Sequence, residues 1–344
     1  MVSVGIIGAT GYAGAELVRI LINHPEVKIA AMSSVTYEGK TLAEIFPNFE
    51  GITEDILVDM DTVVEKSDVV FASLPHGLSE PIARKCYDKG ALFIDLGADF
   101  RLYDEEDYKK WYKLEYKDPE LHKEAVYSLC ELCRDKTKNT KVIGNPGCYP
   151  TSISLGLYPL LKAGVVRTNS VIIDSKSGVT GAGRGLTLGT HYPECNEAIS
   201  AYKVAAHRHT PEIEQMLSEI AGEKVTITFV PHLLPVNRGI LSTIYVDLTK
   251  DLTKDEIRKL YTDAYANEKF VRVLPDGSFA NIRNVRCSNY CDISVHPDPR
   301  TGRVIITSAI DNMVKGAAGQ AIQNMNIALG FAEDCGLNMV PNIF

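Results

Sequence analysis

No stretch of this 344-residue chain approaches the roughly 18 consecutive apolar residues that a membrane-spanning helix needs, so no membrane partner is expected. Positive charge is not in excess. Lys and Arg number 36 against 44 Asp and Glu, leaving a net charge of −8. A nucleic-acid partner is therefore not expected, because phosphate binding needs a basic surface. A charged leader, an apolar core and a cleavage site are all missing at the N-terminus, which runs directly into Val2-Ser3-Val4-Gly5-Ile6-Ile7. A cytoplasmic location is the expectation. The eight cysteines (Cys86, Cys130, Cys133, Cys148, Cys195, Cys287, Cys291 and Cys335) are scattered, and without an export signal they predict free thiols rather than a disulfide framework. Cys130-x-x-Cys133 has no second pair and no nearby histidines to complete a tetrahedral site, so no metal is expected. Internal repeats and low-complexity tracts are absent.

What is present suits about two domains at roughly 150 residues each. Composition is ordinary for a globular protein, 45% hydrophobic and 23% charged. The opening reads as strand, glycine loop and helix. The loop, Gly8-Ala9-Thr10-Gly11-Tyr12-Ala13-Gly14, is a GxxGxxG variant of the dinucleotide fingerprint. Gly8 permits the tight turn, Gly11 lets backbone approach a pyrophosphate, and Gly14 lets the following helix pack closely on the strand. That helix, about Ala13 to Asn23, aims its free N–H groups at the phosphates. Gly8, Thr10, Gly11, Tyr12, Ala13 and Gly14 are the first cofactor-binding candidates.

The second strand, Lys28 to Met32, ends in Ser33-Ser34 where an NAD site usually carries a carboxylate for the ribose 2′-hydroxyl. A carboxylate repels a 2′-phosphate, and two hydroxyls can donate to it. Ser33 and Ser34 thus point to NADP, although the same pair could simply open a loop. Apolar runs at Asp68–Leu74, closed by Pro75, at Leu92–Leu96 and at Val142–Gly144 alternate with helical stretches. This alternation predicts an α/β fold with a Rossmann-type, doubly wound parallel sheet. Ser73 and Pro75, at the end of the third strand, join the cofactor set. Tyr103 to Lys138, rich in charge and tyrosine, reads as a solvated helical excursion without chemistry.

The segment Asn145-Pro146-Gly147-Cys148-Tyr149-Pro150-Thr151 precedes an apolar helix pattern, Ile153 to Leu161. Cys148 therefore sits at or just before a helix N-terminus, whose partial positive charge favours a thiolate and whose N–H groups could hold an oxyanion. A buried structural cysteine is the competing reading. In His207-Arg208-His209-Thr210-Pro211-Glu212 a loop leads into a helix, with Thr210 predicted as N-cap and Pro211 at the first helical position. A cysteine nucleophile needs a proton partner near neutral pH, which histidine supplies. Spaced as in a strand, His207 and His209 would point opposite ways, one catalytic and one substrate-binding. Ser175 to Arg184 is a strand turning into a glycine-rich loop. There Ser177 and Gly178 offer donors to an anion. Arg238 and Arg101 are either clamps for carboxylate or phosphate or partners in structural salt bridges.

From Cys148 onward the pattern changes to alternating runs, Val225–Val230, Val271–Val273 and Val304–Thr307. They predict an α+β domain with a mostly antiparallel sheet. Thr253-Lys254-Asp255-Glu256 is a capping box opening a helix to about Asn267. Past Asp311 an amphipathic helix is expected to return to the first domain. The expected division is 1–147 with 311–344 for the nucleotide domain and 148–310 for the catalytic one.

Taken in order along the chain, these segments resemble the N-acetyl-γ-glutamyl-phosphate reductases of arginine biosynthesis. The resemblance rests on Gly8–Gly14, Gly97–Arg101, Asn145–Thr151, Ser177–Gly185, Ala206–Glu212, Pro235–Gly239 and Asp311–Gln320. It implies a semialdehyde-dehydrogenase-like fold, NADP as cofactor, and NADPH-dependent reduction of a small-molecule acyl phosphate through a thioester on Cys148. It also implies His207 as acid/base, substrate contacts from Arg208 and His209, Asn312 near the nicotinamide, and a homo-oligomer, dimer or tetramer. One departure stands out: Val35-Thr36-Tyr37 follows Ser34 where many relatives carry an arginine. The alternatives are aspartate-semialdehyde dehydrogenase, an aminoadipyl-phosphate reductase, a cysteine hydrolase, and a non-enzymatic NADP sensor that kept the fold.

Overall fold

A computed structural model describes residues 1–343. The chain divides into two compact units, one made of Met1–Pro146 with Ala317–Asn338, the other of Gly147–Gly316 with the tail from Met339. This differs from the expected 148–310 at the second crossing. Residues 311–316 stay with the second unit because buried Asp311 ties them there, accepting from the N–H groups of Cys287, Met313 and Val314. The tail also belongs there, Asn342 donating its N–H to Arg286 O.

In the first unit the strands are β1 (Val2–Ile7), β2 (Val27–Ser33), β3 (Val69–Ala72), β4 (Leu92–Asp95), β5 (Ala125–Tyr127) and β6 (Val142–Gly144). They form one sheet in the order β2-β1-β3-β4-β6-β5, parallel at every pairing. The central strands are buried along their whole length, as expected of a sheet covered on both faces by helices. The helices are α1 (Tyr12–Leu21), α2 (Leu42–Ile45), α3 (Met60–Lys66), α4 (Glu80–Lys89), α5 (Glu105–Tyr112), α6 (Pro119–Glu124) and α7 (Cys130–Thr137). The excursion after residue 103 thus contains an edge strand as well as helices.

The second unit opens with α8 (Cys148–Lys162), followed by β7 (Val171–Gly178), α9 (Tyr192–Cys195), β8 (Ser200–Ala201), α10 (His209–Ala221) and β9 (Ile227–Leu234). Then come β10 (Ile240–Asp247), α11 (Lys254–Ala264), β11 (Val271–Val273), β12 (Cys291–Asp298) and β13 (Arg303–Ile310). The sheet order is β11-β12-β13-β10-β7-β9-β8. Pairing is antiparallel except at β11–β12 and β7–β9, where a helical crossover returns the chain in the same direction. Burial alternates along β10, so one face packs inward. α8 and α10 pack on each other, and α8 also packs against β10 and β13. A π-helical turn (Val314–Ala318) leads into α12 (Gly319–Leu329), which belongs to the first unit. No helix among the described residues is long and apolar enough to cross a membrane.

Candidate active site

In the first unit, β1 delivers the chain into Gly8, whose φ of +82° lies in the left-handed region. A Cβ there would stand 2.3 Å from Ser73 O, and one on Gly14 would stand 2.2 Å from Gly8 O. These two glycines are fixed by crowding. Gly11 differs: a Cβ there would meet nothing closer than 3.5 Å, so its missing side chain leaves open room beside the backbone. Gly11 is the extended N-cap of α1, and no side chain caps that helix. The first-turn N–H groups at Tyr12, Ala13 and Gly14 therefore have no intrahelical acceptor, at the positive end of the helix dipole. This donor set, with room at Gly11, fits the pyrophosphate of a dinucleotide.

The end of β2 borders the loop. Gly8 N and Ala9 N donate to Ser33 O (3.1 and 2.9 Å), and the buried hydroxyls of Thr10 and Ser34 are 2.7 Å apart. Either hydroxyl can be the donor in that shared bond. Ser73 starts the loop after β3, its N–H on Ile7 O at 2.9 Å, and Pro75 stands exposed in the same loop.

Arg101 also lies in the first unit. Its Nε donates to Asn145 O (2.8 Å) and its Nη2 to Leu96 O (2.7 Å). The guanidinium thus clasps the ends of β4 and β6 and holds the backbone just before the chain crosses between units. The amide of Asn145 is fixed further by Ala317 O (3.2 Å) and by Asn324 Nδ2 (3.1 Å).

In the second unit Cys148 is the first residue of α8, and Gly147 is its N-cap. No side chain caps this helix through the usual i to i+3 bond. A buried carboxylate takes the preceding donor instead: Glu212 Oε1 accepts from Gly147 N at 2.8 Å. A Cβ on Gly316 would stand 2.7 Å from Cys148 Cβ, so only glycine leaves the cysteine its place. Cys148 itself is half-buried, whereas Cys86, Cys130, Cys133 and Cys291 are fully buried.

His207 and His209 do not diverge. Their ring centroids are 4.9 Å apart, in an edge arrangement, and both rings meet Tyr149, at 5.4 and 5.9 Å. Phe229 completes the cage around His207 at 5.5 Å. The reason is where α10 begins. It starts at His209 with Arg208 as its N-cap, not at Pro211 with Thr210 as cap. The N–H of His209 is satisfied by the ring of His207, which accepts at Nδ1 (3.1 Å), and the Thr210 N–H goes to His207 O (3.0 Å). The neutral His207 ring therefore carries its proton on Nε2. Burial holds the His207 pKa down to about 3, with the positive charges of Lys203 and Arg208 adding to the effect. At neutral pH it is an uncharged donor.

Tyr149 and Tyr202 share a phenol–phenol hydrogen bond of 3.0 Å. Burial raises both phenols, Tyr202 to about 12, and the electrostatic effect of neighbouring Cys148 adds in the same direction. Just before His207 the chain is strained, with Lys203 and Ala205 at φ of +45° and +54°.

Ser177 is buried at the end of β7. Gly178 packs on the 237–239 turn, where a Cβ would stand 2.6 Å from Asn237 O. Asn312 joins those two loops, its Oδ1 accepting from Gly239 N (2.7 Å) and its Nδ2 donating to Thr180 Oγ1 (3.0 Å). Arg238 forms an ion pair with buried Asp311 at 3.5 Å. The residues that sequence reasoning did not single out are Glu212, Tyr202, Gly316 and Asp311. Glu212 left a signal: it lies on the apolar stripe of α10, four residues before buried Met216.

Comparison with known proteins agrees with this two-part layout. Residues 3–140 match the family model described as semialdehyde dehydrogenase, NAD binding domain. Residues 148–312 match the one described as semialdehyde dehydrogenase, dimerisation domain. The chain is 57% identical to an N-acetyl-γ-glutamyl-phosphate reductase of Clostridium botulinum (strain Eklund 17B / Type B), over all of both chains. Identity is also 57% with the protein of that name from Brachyspira hyodysenteriae, again over 100% of each. Among solved structures, aspartate semialdehyde dehydrogenase II of Vibrio cholerae superposes with a TM-score of 0.74 at 16% identity, covering 96% of this chain and 98% of that one. The Candida albicans aspartate semialdehyde dehydrogenase, solved with NADP, gives 0.66 at 16% identity, covering 97% and 99%.

Proposed function

The chain belongs to the N-acetyl-γ-glutamyl-phosphate reductase family, and from that membership we propose that it reduces N-acetyl-γ-glutamyl phosphate to N-acetyl-L-glutamate 5-semialdehyde with release of phosphate. The observation that carries the chemistry is the placement of a half-buried cysteine at the first residue of α8 in a unit that also cages His207. Cys148 is the nucleophile. Its thiolate adds to the γ-acyl carbonyl and phosphate leaves, so that a thioester joins substrate and sulfur. A thioester accepts hydride far more readily than a carboxylate. When bound, NADPH supplies that hydride. The Nε2 proton of His207 is held for the substrate oxygen as charge develops there on hydride arrival, and that charge passes to sulfur when the thiohemiacetal on Cys148 re-forms a carbonyl and expels the thiolate.

The charges around His207 suit an anionic substrate. A phosphoryl group beside Arg208 and Lys203 cancels two of the effects that depress the His207 pKa. Substrate binding thereby raises its proton affinity. Arg208, His209 and the Ser177-Gly178 turn are the substrate contacts of this reading. Arg238 and Arg101 serve by holding backbone and Asp311, and Asn312 by joining the 178–180 and 237–239 loops. Gly8, Thr10, Gly11, Tyr12, Ala13, Gly14, Ser33, Ser34, Ser73 and Pro75 line the dinucleotide side. The Thr10–Ser34 hydroxyl pair, with no carboxylate at the end of β2, favours NADP over NAD. The enzyme acts in the cytoplasm as a homo-oligomer, a dimer or tetramer, and the dimerisation-domain family model of its second unit supports self-association.

Initial rates in the phosphate-dependent oxidation direction test the substrate and cofactor together. N-acetylglutamate semialdehyde with NADP is expected to be the preferred pair over aspartate or aminoadipate semialdehyde and over NAD. Preference for aspartate semialdehyde would overturn the substrate assignment, and equal rates with NAD the cofactor assignment.

A further inference from the structure

The charged, tyrosine-rich excursion after β4 has no part in the chemistry above, yet its contacts converge on one loop. That loop, residues 73–79 between β3 and α4, borders the glycine turn, since Ser73 O stands where a Cβ of Gly8 would go. Buried Asp99 grips it with both carboxylate oxygens. Oδ1 accepts from Gly77 N (2.7 Å) and Oδ2 from Ser79 N (2.9 Å). The excursion secures the same grip, because Tyr108 of α5 donates its phenol proton to Asp99 Oδ1 (2.9 Å) and Lys117 donates through Nζ to Gly77 O. Its Tyr112 ring also packs edge-on against His76 at 5.1 Å. A second buried carboxylate, Asp95, accepts from the Ser79 hydroxyl (2.8 Å) and from Asp99 N (3.2 Å).

We propose that Asp99 is a positioning residue for the dinucleotide site, and that the 103–127 excursion is a bracket that fixes the 73–79 loop as the wall of that site. The two N–H groups of the loop are charge-assisted donors to two different oxygens, a geometry that only a carboxylate satisfies. An amide in its place turns an NH₂ toward one of these donors and releases that end of the loop. The inference rests on the reading of Ser73 and Pro75 as cofactor-facing.

The test is NADPH binding by fluorescence titration on the full-length protein, beside KM and kcat. Asp99→Asn is expected to raise the NADPH Kd and KM about tenfold, with kcat at saturating NADPH falling less than threefold. Lys117→Met, which removes one half-buried clasp and keeps both Asp99 bonds, is expected to raise Kd about threefold, and it serves if Asp99→Asn fails to fold. Folded variants with unchanged Kd overturn the inference, as does a loss of kcat at unchanged KM. Absence of NADPH binding by the unmutated protein overturns the proposed function itself, and the inference with it.

Discussion

Two helices in this molecule begin the same way and are put to different uses. Gly11 caps α1 at φ −76° and ψ 163°, and Gly147 caps α8 at φ −68° and ψ 160°. Neither helix has a capping side chain bonded to its first turn. Each therefore turns the positive end of its dipole toward the residues at its start. The difference lies in what surrounds the start. At α1 the space beside Gly11 is open, while Gly8 and Gly14 are pressed against Ser73 O and Gly8 O. At α8 the first residue is Cys148, Glu212 takes the Gly147 N–H, and Gly316 closes in on the cysteine Cβ. On the proposed function, one backbone device would hold a diffusible anion in the first unit and support a covalent nucleophile in the second. The identity of two or three neighbours decides which.

The comparison breaks most sharply at the two groups proposed to do the chemistry. Cys148→Ser is expected to abolish reduction and leave the NADPH Kd unchanged, because the sulfur belongs to the second helix start and the proposed cofactor site to the first. Normal turnover by that variant would refute the covalent route. His207→Asn is expected to lower kcat by roughly 10²–10⁴, the usual contribution of a positioned proton donor, again without loss of NADPH binding. A weakened NADPH Kd in either variant would mean that the two helix starts are not functionally separate.

A smaller effect separates the two sites by their glycines. Gly316→Ala places a Cβ 2.7 Å from Cys148 Cβ, so the cysteine must shift. If the cysteine moves by about 1 Å, turnover is expected to fall about 10²-fold. Gly14→Ala drives a Cβ to within 2.2 Å of Gly8 O and should remove NADPH binding instead. If Gly316→Ala turned over normally, the crowding at Cys148 would have no mechanistic meaning.

What was legible in the sequence follows from the range of each interaction. The glycine loop, the strands of the first sheet and the Thr253–Glu256 capping box depend on neighbours a few residues apart, and each reads directly. The capping box is present in full, for instance. The strand of the excursion, β5, is only three residues long and pairs with β6, fifteen or more positions away, so nothing local announced it. The start of α10 was misplaced because Thr210-Pro211 is a strong local cap signal. The ring of His207 overrode it by accepting the His209 N–H. That same bond brings the two histidines together, where a strand-like spacing had set them apart. Arg238 and Arg101 were readable as anion clamps or structural partners. Their long-range contacts, to Asp311 and to the carbonyls of Leu96 and Asn145, occupy some of their donors and could not be read from the sequence.

The mildest expected effect concerns the proton on His207. Its folded pKa of about 3 lies below the ordinary histidine value near 6.5. The sign is that of a depressed base: the unfolded chain takes up this proton first as pH falls. The neutral ring costs nothing above pH 6.5, and stability is lost progressively from there toward pH 3. In that window wild-type protein should lose about 1.4 kcal/mol per pH unit more than His207→Asn, read from paired urea midpoints. Parallel curves for the two proteins would show that burial does not depress this group. A kinetic corollary sharpens the contrast with the open helix start. kcat/KM reports the free enzyme and should show no inflection from His207 between pH 5 and 8. The kcat profile reports the complex, in which the bound anion screens Arg208 and Lys203, so its His207 inflection should lie at higher pH than in the free protein.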